Sequence, residues 1–209
     1  MILNKMIRKK RVKNYDIFLG IFLVLFFILI QFNYAAESEK PPLPTGELPL
    51  LITTAGQSPG AMIVSTLCSR NKIDNDFRDL VKAEDLTLKS YKTLIITMGT
   101  SGKGMGAAGI DINYEFNRIE ELIKEARKQN ILIIGMHIEG EARRTGHCEE
   151  SIDLVAPRVD YLIVRSDGNK DGRFDLISKE KNIPMTIIEE TLELNDLLKE
   201  MFLKTNQDK

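Results

Sequence analysis

The sequence predicts an α/β fold, a three-layer, doubly wound and mostly parallel sheet, on three observations. Four apolar runs each break off into a glycine-studded polar segment: LPLLITT into AGQSPG, TLIITM into GTSGKGMGAAG, ILIIGM into HIEGEARRTG, and YLIV into RSDGNKDG. Segments of helical period lie between the runs, the clearest carrying Phe116, Ile119, Leu122, Ile123 and Ala126 on one face. The run from Ile131 to Met136 is apolar throughout, as a strand buried on both faces requires. Alternating segments of these lengths imply parallel strands joined by right-handed crossovers. A flavodoxin-like strand order puts the loops after the first strand and after the Thr93 strand at the topological switch point, where open α/β sheets hold their ligands.

The elements follow in order. Leu48 to Thr53 reads as a buried strand. A helix from Pro59 to about Asn71 comes next, with Ser58 placed as its N-cap and Pro59 as its first residue. The polar stretch 72–90 has room for a short edge strand near Phe77 and a short helix around Glu84. Thr93 to Met98 is a strand, and a helix covers about 113–128. After the Ile131 strand, a helix through Ile152, Leu154 and Val155 stops before Pro157. Tyr161 to Val164 is a strand, Phe174 to Lys181 a helix, Met185 to Ile188 a strand, and Leu192 to Phe202 a terminal helix.

Ahead of this domain, 48–203, lie two further segments. Lys5, Arg8, Lys9, Lys10, Arg11 and Lys13 precede an uncharged stretch from Ile17 to Ala36 whose most apolar part, Ile17 to Ile30, has the length of a signal-peptide core. Residues 1–36 therefore read as a signal peptide or an uncleaved membrane anchor, with the rest exported. Residues 37–47, ESEKPPLPTGE, read as a Pro-rich extended spacer, and 204–209 as a polar tail. Six of the 29 Lys and Arg and one of the 30 Asp and Glu precede Glu37, leaving 23 against 29 and a net charge of −6 on the exported part. That balance argues against nucleic-acid binding, which normally needs a basic face. Membrane contact is expected only through the N-terminal segment, and oligomeric state is left open. Of the two cysteines, Cys68 reads as core. Cys148 follows His147, but sequence neighbours seldom orient toward each other as a catalytic pair.

The loops carry the functional expectations. AGQSPG ends at a helix N-terminus, where free amides favour an anion, and Gly60 lets a ligand approach, although Ser58 taken alone reads first as a plain cap. Gly99, Gly102, Gly104, Gly106 and Gly109 lie within eleven residues, joined by the donors Thr100, Ser101 and Lys103, so that the segment reads as an anion-binding nest or a mobile lid. It is no P-loop, since Thr97 and Gly104 stand where Gly and Ser or Thr are needed. Its GxGxxG match at Gly104, Gly106 and Gly109 neither follows directly on a strand nor opens the helix. In HIEGEARRTG, Arg143 or Arg144 could fork onto a carboxylate or phosphate, or pair with Glu139 or Glu141. His137 is a possible general base or a hydrogen-bonded structural residue, and no GxSxG elbow accompanies it. Asp167, Asn169, Asp171 and Gly172 reproduce the start of a calcium loop, with Asp175 at the ninth position but Ser178 where the bidentate Glu belongs. Calcium is thus one reading and a capped turn the other.

LITTAGQSPGA (51–61), GAAGID (106–111), IIGMHIEGEARR (133–144) and DYLIVRSDGNKDGRF (160–174) together resemble the bacterial exported proteins grouped as domain of unknown function 6305. The resemblance spans nearly the whole domain and implies the same fold and export; it implies no catalytic residue. The expected function is capture of a small anionic ligand by Ser58, Gly60, Ser101, Gly102, Lys103, Gly104, His137, Arg143 and Arg144. Two alternatives stand beside it. One is a hydrolase or metal-dependent enzyme using His137 with a loop serine, or the Asp167 and Asp171 loop. The other is a cell-surface interaction module.

Overall fold

The computed structural model describes residues 41–203; the basic and apolar N-terminal segment, the first residues of the spacer and the polar tail lie outside the described residues. Six strands, β1 (Leu50–Ala55), β2 (Asn75–Phe77), β3 (Thr93–Met98), β4 (Leu132–His137), β5 (Tyr161–Arg165) and β6 (Met185–Ile188), form one sheet in the order β2-β1-β3-β4-β5-β6. Every pairing is parallel. This is the flavodoxin-like order extended by a sixth strand, and the order reverses between β1 and β3.

Period-two alternation divides each strand between two cores. Leu50, Ile52, Ile95, Ile134, Met136, Tyr161 and Ile163 face helices α1 (Gly60–Arg70) and α7 (Leu194–Leu203). On the other side, Leu51, Leu94, Ile96, Ile133, Leu162 and Val164 face the short α2 (Asp85–Leu88), α4 (Ile112–Lys128), α5 (Cys148–Val155) and α6 (Arg173–Lys181). The sheet thus separates Cys68 in the first core from Cys148 in the second, and both are free, buried thiols. Burial raises their pKa values to about 12 and about 11, which leaves neither as a thiolate near neutral pH.

Two local expectations are corrected. The glycine segment is no open nest: Gly102–Ala108 forms helix α3, its first turn closed by the Ser101 hydroxyl, which accepts from the Gly104 amide (3.1 Å), and its end by Gly109 in the left-handed conformation. Glycine is needed at position 104, where any Cβ would fall on the Gln57 carbonyl oxygen. From Pro41 onward the spacer is part of the domain. The Tyr161 hydroxyl donates to the Pro41 carbonyl (3.2 Å), the Gly46 amide to Met201 (2.9 Å) and the Glu47 amide to Thr93 Oγ1 (3.0 Å), while Leu43 packs on the α1 and α7 core. Leu43 supplies apolar surface that a composition rich in Pro and charge conceals.

Candidate functional site

The site is built on the turn that leaves β1. Gly56 (φ 125°) and Gln57 (φ 58°) both take left-handed backbone conformations, and the Ser101 amide donates to the Gly56 carbonyl (2.8 Å). A buried ion pair on α4 fixes this turn from beneath. Glu115 accepts from the Gly56 amide (2.7 Å), Gln57 Nε2 (3.1 Å) and both Nε and a terminal nitrogen of Arg118 (2.9 and 2.8 Å). Arg118 then donates to the carbonyls of Val81 and Thr54 (2.7 Å each). Glu115 is fully buried and Arg118 nearly so, so the charges are compensated by each other and by four further hydrogen bonds. The helical period puts Phe116 in the buried stripe of α4; in the structure it is only half buried. The 3.6-residue period counted back from Leu122 and Ile119 reaches Glu115 and Arg118, a legible signal of a buried pair.

Above the turn lies a cleft of ≈ 530 Å³. Its walls are the turn itself (Gln57, Ser58), the start of α1 (Pro59, Met62), the segment after β2 (Asp79, Leu80) and α3 with its cap (Ser101, Gly104, Ala107, Ala108). Met62 and Leu80 are exposed there. No Lys or Arg is among the lining residues.

Behind the cleft wall is a second polar group of side chains. Ser58 does not cap α1: its hydroxyl is buried and finds no partner among the described residues, as does that of Thr97. The helix is capped instead from across the sheet by Glu139, which accepts from the Gly60 amide (3.0 Å) and from Arg143 Nε (2.8 Å). The N-terminus of α1 therefore already holds a carboxylate, the position a free anion was expected to take. Ser58 Oγ and Glu139 Oε2 lie 2.9 and 3.2 Å from the point where a Cβ of residue 99 would stand. Thr97 Oγ1 and the same carboxylate oxygen lie 3.4 and 2.9 Å from the corresponding point at residue 60. Gly60 and Gly99 are thus the two positions whose missing side chains leave room for this group.

The remaining expected site residues are dispersed. Gly102 and Lys103 are exposed on α3 outside the cleft lining. Arg144 is consumed internally, gripping Glu149 with Nε and a terminal nitrogen (2.8 and 3.0 Å), Asp171 (2.6 Å) and the Gly168 carbonyl. Burial opposes its charge, but the bonds from Glu149 and Asp171 outweigh it and raise its pKa, while the Arg144 bond lowers that of Asp171. An arginine clamp on ligand is not its geometry. The residues of the calcium reading are engaged in contacts of the same kind. Asp171 is paired with Arg144, Asp167 with Arg165 (2.8 Å), and Asn169 uses its oxygen on the Phe174 amide (2.9 Å) and its nitrogen on Asp175 (2.9 Å). Among the described residues no group of three His, Cys, Asp or Glu side chains could hold a metal ion.

His137 points to the opposite face of the sheet from Thr97, stacked 5.4 Å from Phe174. It is fully buried, and both ring nitrogens face carbonyls, Nδ1 that of Met98 (2.9 Å) and Nε2 that of Gly140 (3.2 Å). Neither the Ser58 nor the Ser101 hydroxyl is among its partners, and both ring nitrogens are engaged as in a structural histidine. Burial, with the nearby Arg144 charge, lowers its pKa against the pull of the two carbonyls. Below about pH 6.5 the unfolded chain binds a proton that the folded one does not, so stability is complete above that pH and declines as pH falls toward the lowered folded value. His137→Asn is expected to flatten the loss of stability between pH 7 and 5 in denaturant titrations; an unchanged slope would contradict this assignment.

A family model described as domain of unknown function (DUF6305) matches residues 47–202. The chain belongs to this family. The match covers every element of the site, from the β1 turn to Arg144 and the Asp167 loop. No curated protein matches the chain. Similar solved structures include a GDSL-like lipase from Bacteroides thetaiotaomicron, 12% identical over 66% of each chain (TM-score 0.33). A putative acylhydrolase from Bacteroides fragilis is 10% identical over 71% of this chain and 72% of its own (0.34). A truncated 3-deoxy-D-arabino-heptulosonate 7-phosphate synthase from Thermotoga maritima is 15% identical over 76% of this chain, which spans 48% of that enzyme (0.33). At these scores none assigns an activity to the DUF6305 chain.

Proposed function

We propose that this DUF6305 protein is a binding domain that takes a small molecule in the cleft outside the C-terminal ends of β1 and β3. The observation that carries the reading is the pair of buried hydroxyls, Ser58 and Thr97, without partners among the described residues, one of them in the cleft wall. Leaving a buried polar group unsatisfied costs about 1–3 kcal/mol, and folded proteins rarely do so without a functional reason. The cleft volume lies in the range of small-molecule sites, and the Glu115 and Arg118 network beneath it holds the wall in one shape, which lowers the ordering cost of binding. Turnover has no comparable support, because His137 is committed to two carbonyls on the far face of the sheet. The basic and apolar N-terminal segment supports placing this binding outside the membrane.

The test uses Ser58→Ala and Thr97→Val. Without ligand, each variant is expected to be as stable as the parent or up to about 1 kcal/mol more stable, because an unpaired hydroxyl is removed. Small molecules that raise the melting temperature of the parent in a fragment screen are expected to lose most of that effect on Ser58→Ala. Ligand-free destabilisation of both variants would show the hydroxyls to be structural and overturn the reading.

A further inference from the structure

Two carboxylates border this site, Asp79 in the cleft lining and Glu139 behind it, the latter paired with Arg143. Resting on the binding reading above, we propose that the site recognises a small amphiphile with a cationic, hydrogen-bond-donating head, a primary ammonium, rather than a carboxylate or phosphate. Three observations carry this. The Glu139 side chain, only 9% exposed, uses one oxygen on the Gly60 amide and the other on Arg143 Nε, and each oxygen keeps acceptor capacity. Ser58 and Thr97, 4% and 1% exposed, hold their unpartnered hydroxyls beside that carboxylate, and each hydroxyl has two lone pairs to offer a donor. A head that donates N–H bonds suits these oxygens, whereas an anion brought to the same place meets a carboxylate already in position.

The cleft in front adds a field of the same sign. Asp79 lines it with no ion pair to its carboxylate among the described residues, its carbonyl alone being used by Thr53 and Gln57. No cationic side chain lines the cleft to oppose Asp79; the Arg143 guanidinium is paired through its Nε with Glu139, and Arg144 is bound elsewhere by Glu149 and Asp171. Pro59, Met62, Leu80, Ala107 and Ala108 supply the apolar surface for the body of the molecule. Ser58 joins the two parts, lining the cleft with its residue while its Oγ lies on the Glu139 side.

The experiment compares three probes of one skeleton, n-pentylammonium, 1-pentanol and pentanoate, titrated into the full-length protein by calorimetry at fixed ionic strength. The ammonium is expected to bind about tenfold more tightly than pentanoate, with the alcohol between, as one favourable against one unfavourable charge contact implies. Glu139→Gln and Asp79→Asn are each expected to narrow that ratio, and Ser58→Ala to weaken the ammonium about fivefold while leaving pentanoate unchanged. Should Glu139→Gln fold poorly for want of its cap, Asp79→Asn, an exposed position, still tests the sign. Tighter binding of pentanoate would overturn the charge assignment and leave the binding reading intact. No binding of the ammonium, with hits elsewhere in the fragment screen that depend on Ser58, would likewise overturn the head-group class alone.

Discussion

Glu115→Ala is expected to cost about 3–5 kcal/mol, because it strands the Arg118 guanidinium in the interior and removes the acceptor for Gly56 and Gln57 at once. Against a typical total of roughly 5–15 kcal/mol, that is a large share, and the melting temperature should fall by roughly 10 °C. Coulombic attraction alone is a poor guide here, since burying both charges is itself expensive. The decisive comparison is therefore with Glu115→Leu combined with Arg118→Met. The double variant should recover much of the stability, because it removes both charges and leaves only the amides and carbonyls of the β1 turn to find new partners. If the double variant were as unstable as the single, the pair would be stabilising in its own right. Whatever stability returns, the turn loses its tether, and the cleft it walls should lose ligand affinity.

Gly56→Ala is expected to cost about 3 kcal/mol through a different cause. Residue 56 has φ 125°, a backbone conformation that L side chains rarely adopt, and an added Cβ would stand 2.5 Å from the Gly99 carbonyl oxygen. The obstacle is backbone, which cannot swing aside, so the β1 and β3 loops must part. The same parting breaks the bond from the Ser101 amide to the Gly56 carbonyl and shifts α3 away from the cleft. Denaturant unfolding would measure the loss; a change below about 0.5 kcal/mol would show that the turn adapts and that its geometry is not a constraint on the site.

The fold was legible because its signals are local and redundant. Continuous apolar runs such as TLIITM and ILIIGM, separated by helical periods, admit few arrangements besides a doubly wound parallel sheet, and β1, β3, β4, β5 and β6 lie within a few residues of where the pattern puts them. The site was legible only as a location. Ser58, Gly60, Ser101 and Gly104 do meet at the switch point, but which groups stay free depends on partners distant in sequence. Glu139 reaches the Gly60 amide across 79 positions, and Arg144 is claimed by Asp171 across 27. A single sequence does not encode such pairings locally, so Arg144 reads as available when it is fully engaged, whereas Arg143, among the described residues, spends only its Nε, on Glu139. His137 lies away from this group for a simpler reason: strand alternation turns it to the face opposite Thr97, and period two counted from Met136, which faces α1, places it there. The glycine segment misled through composition, since Gly102 and Gly106 are exposed helix positions where an added Cβ would meet no neighbouring atom.

The most direct measurement is a backbone amide chemical-shift map of the protein during titration with the strongest hit of a fragment screen. Shifts concentrated at Gln57 to Met62, Asp79 to Leu80 and Ser101 to Ala108, and lost in Ser58→Ala, are expected if the switch-point cleft is the binding site. Shifts centred outside these segments, as on the Asp167 loop, or nowhere would contradict it.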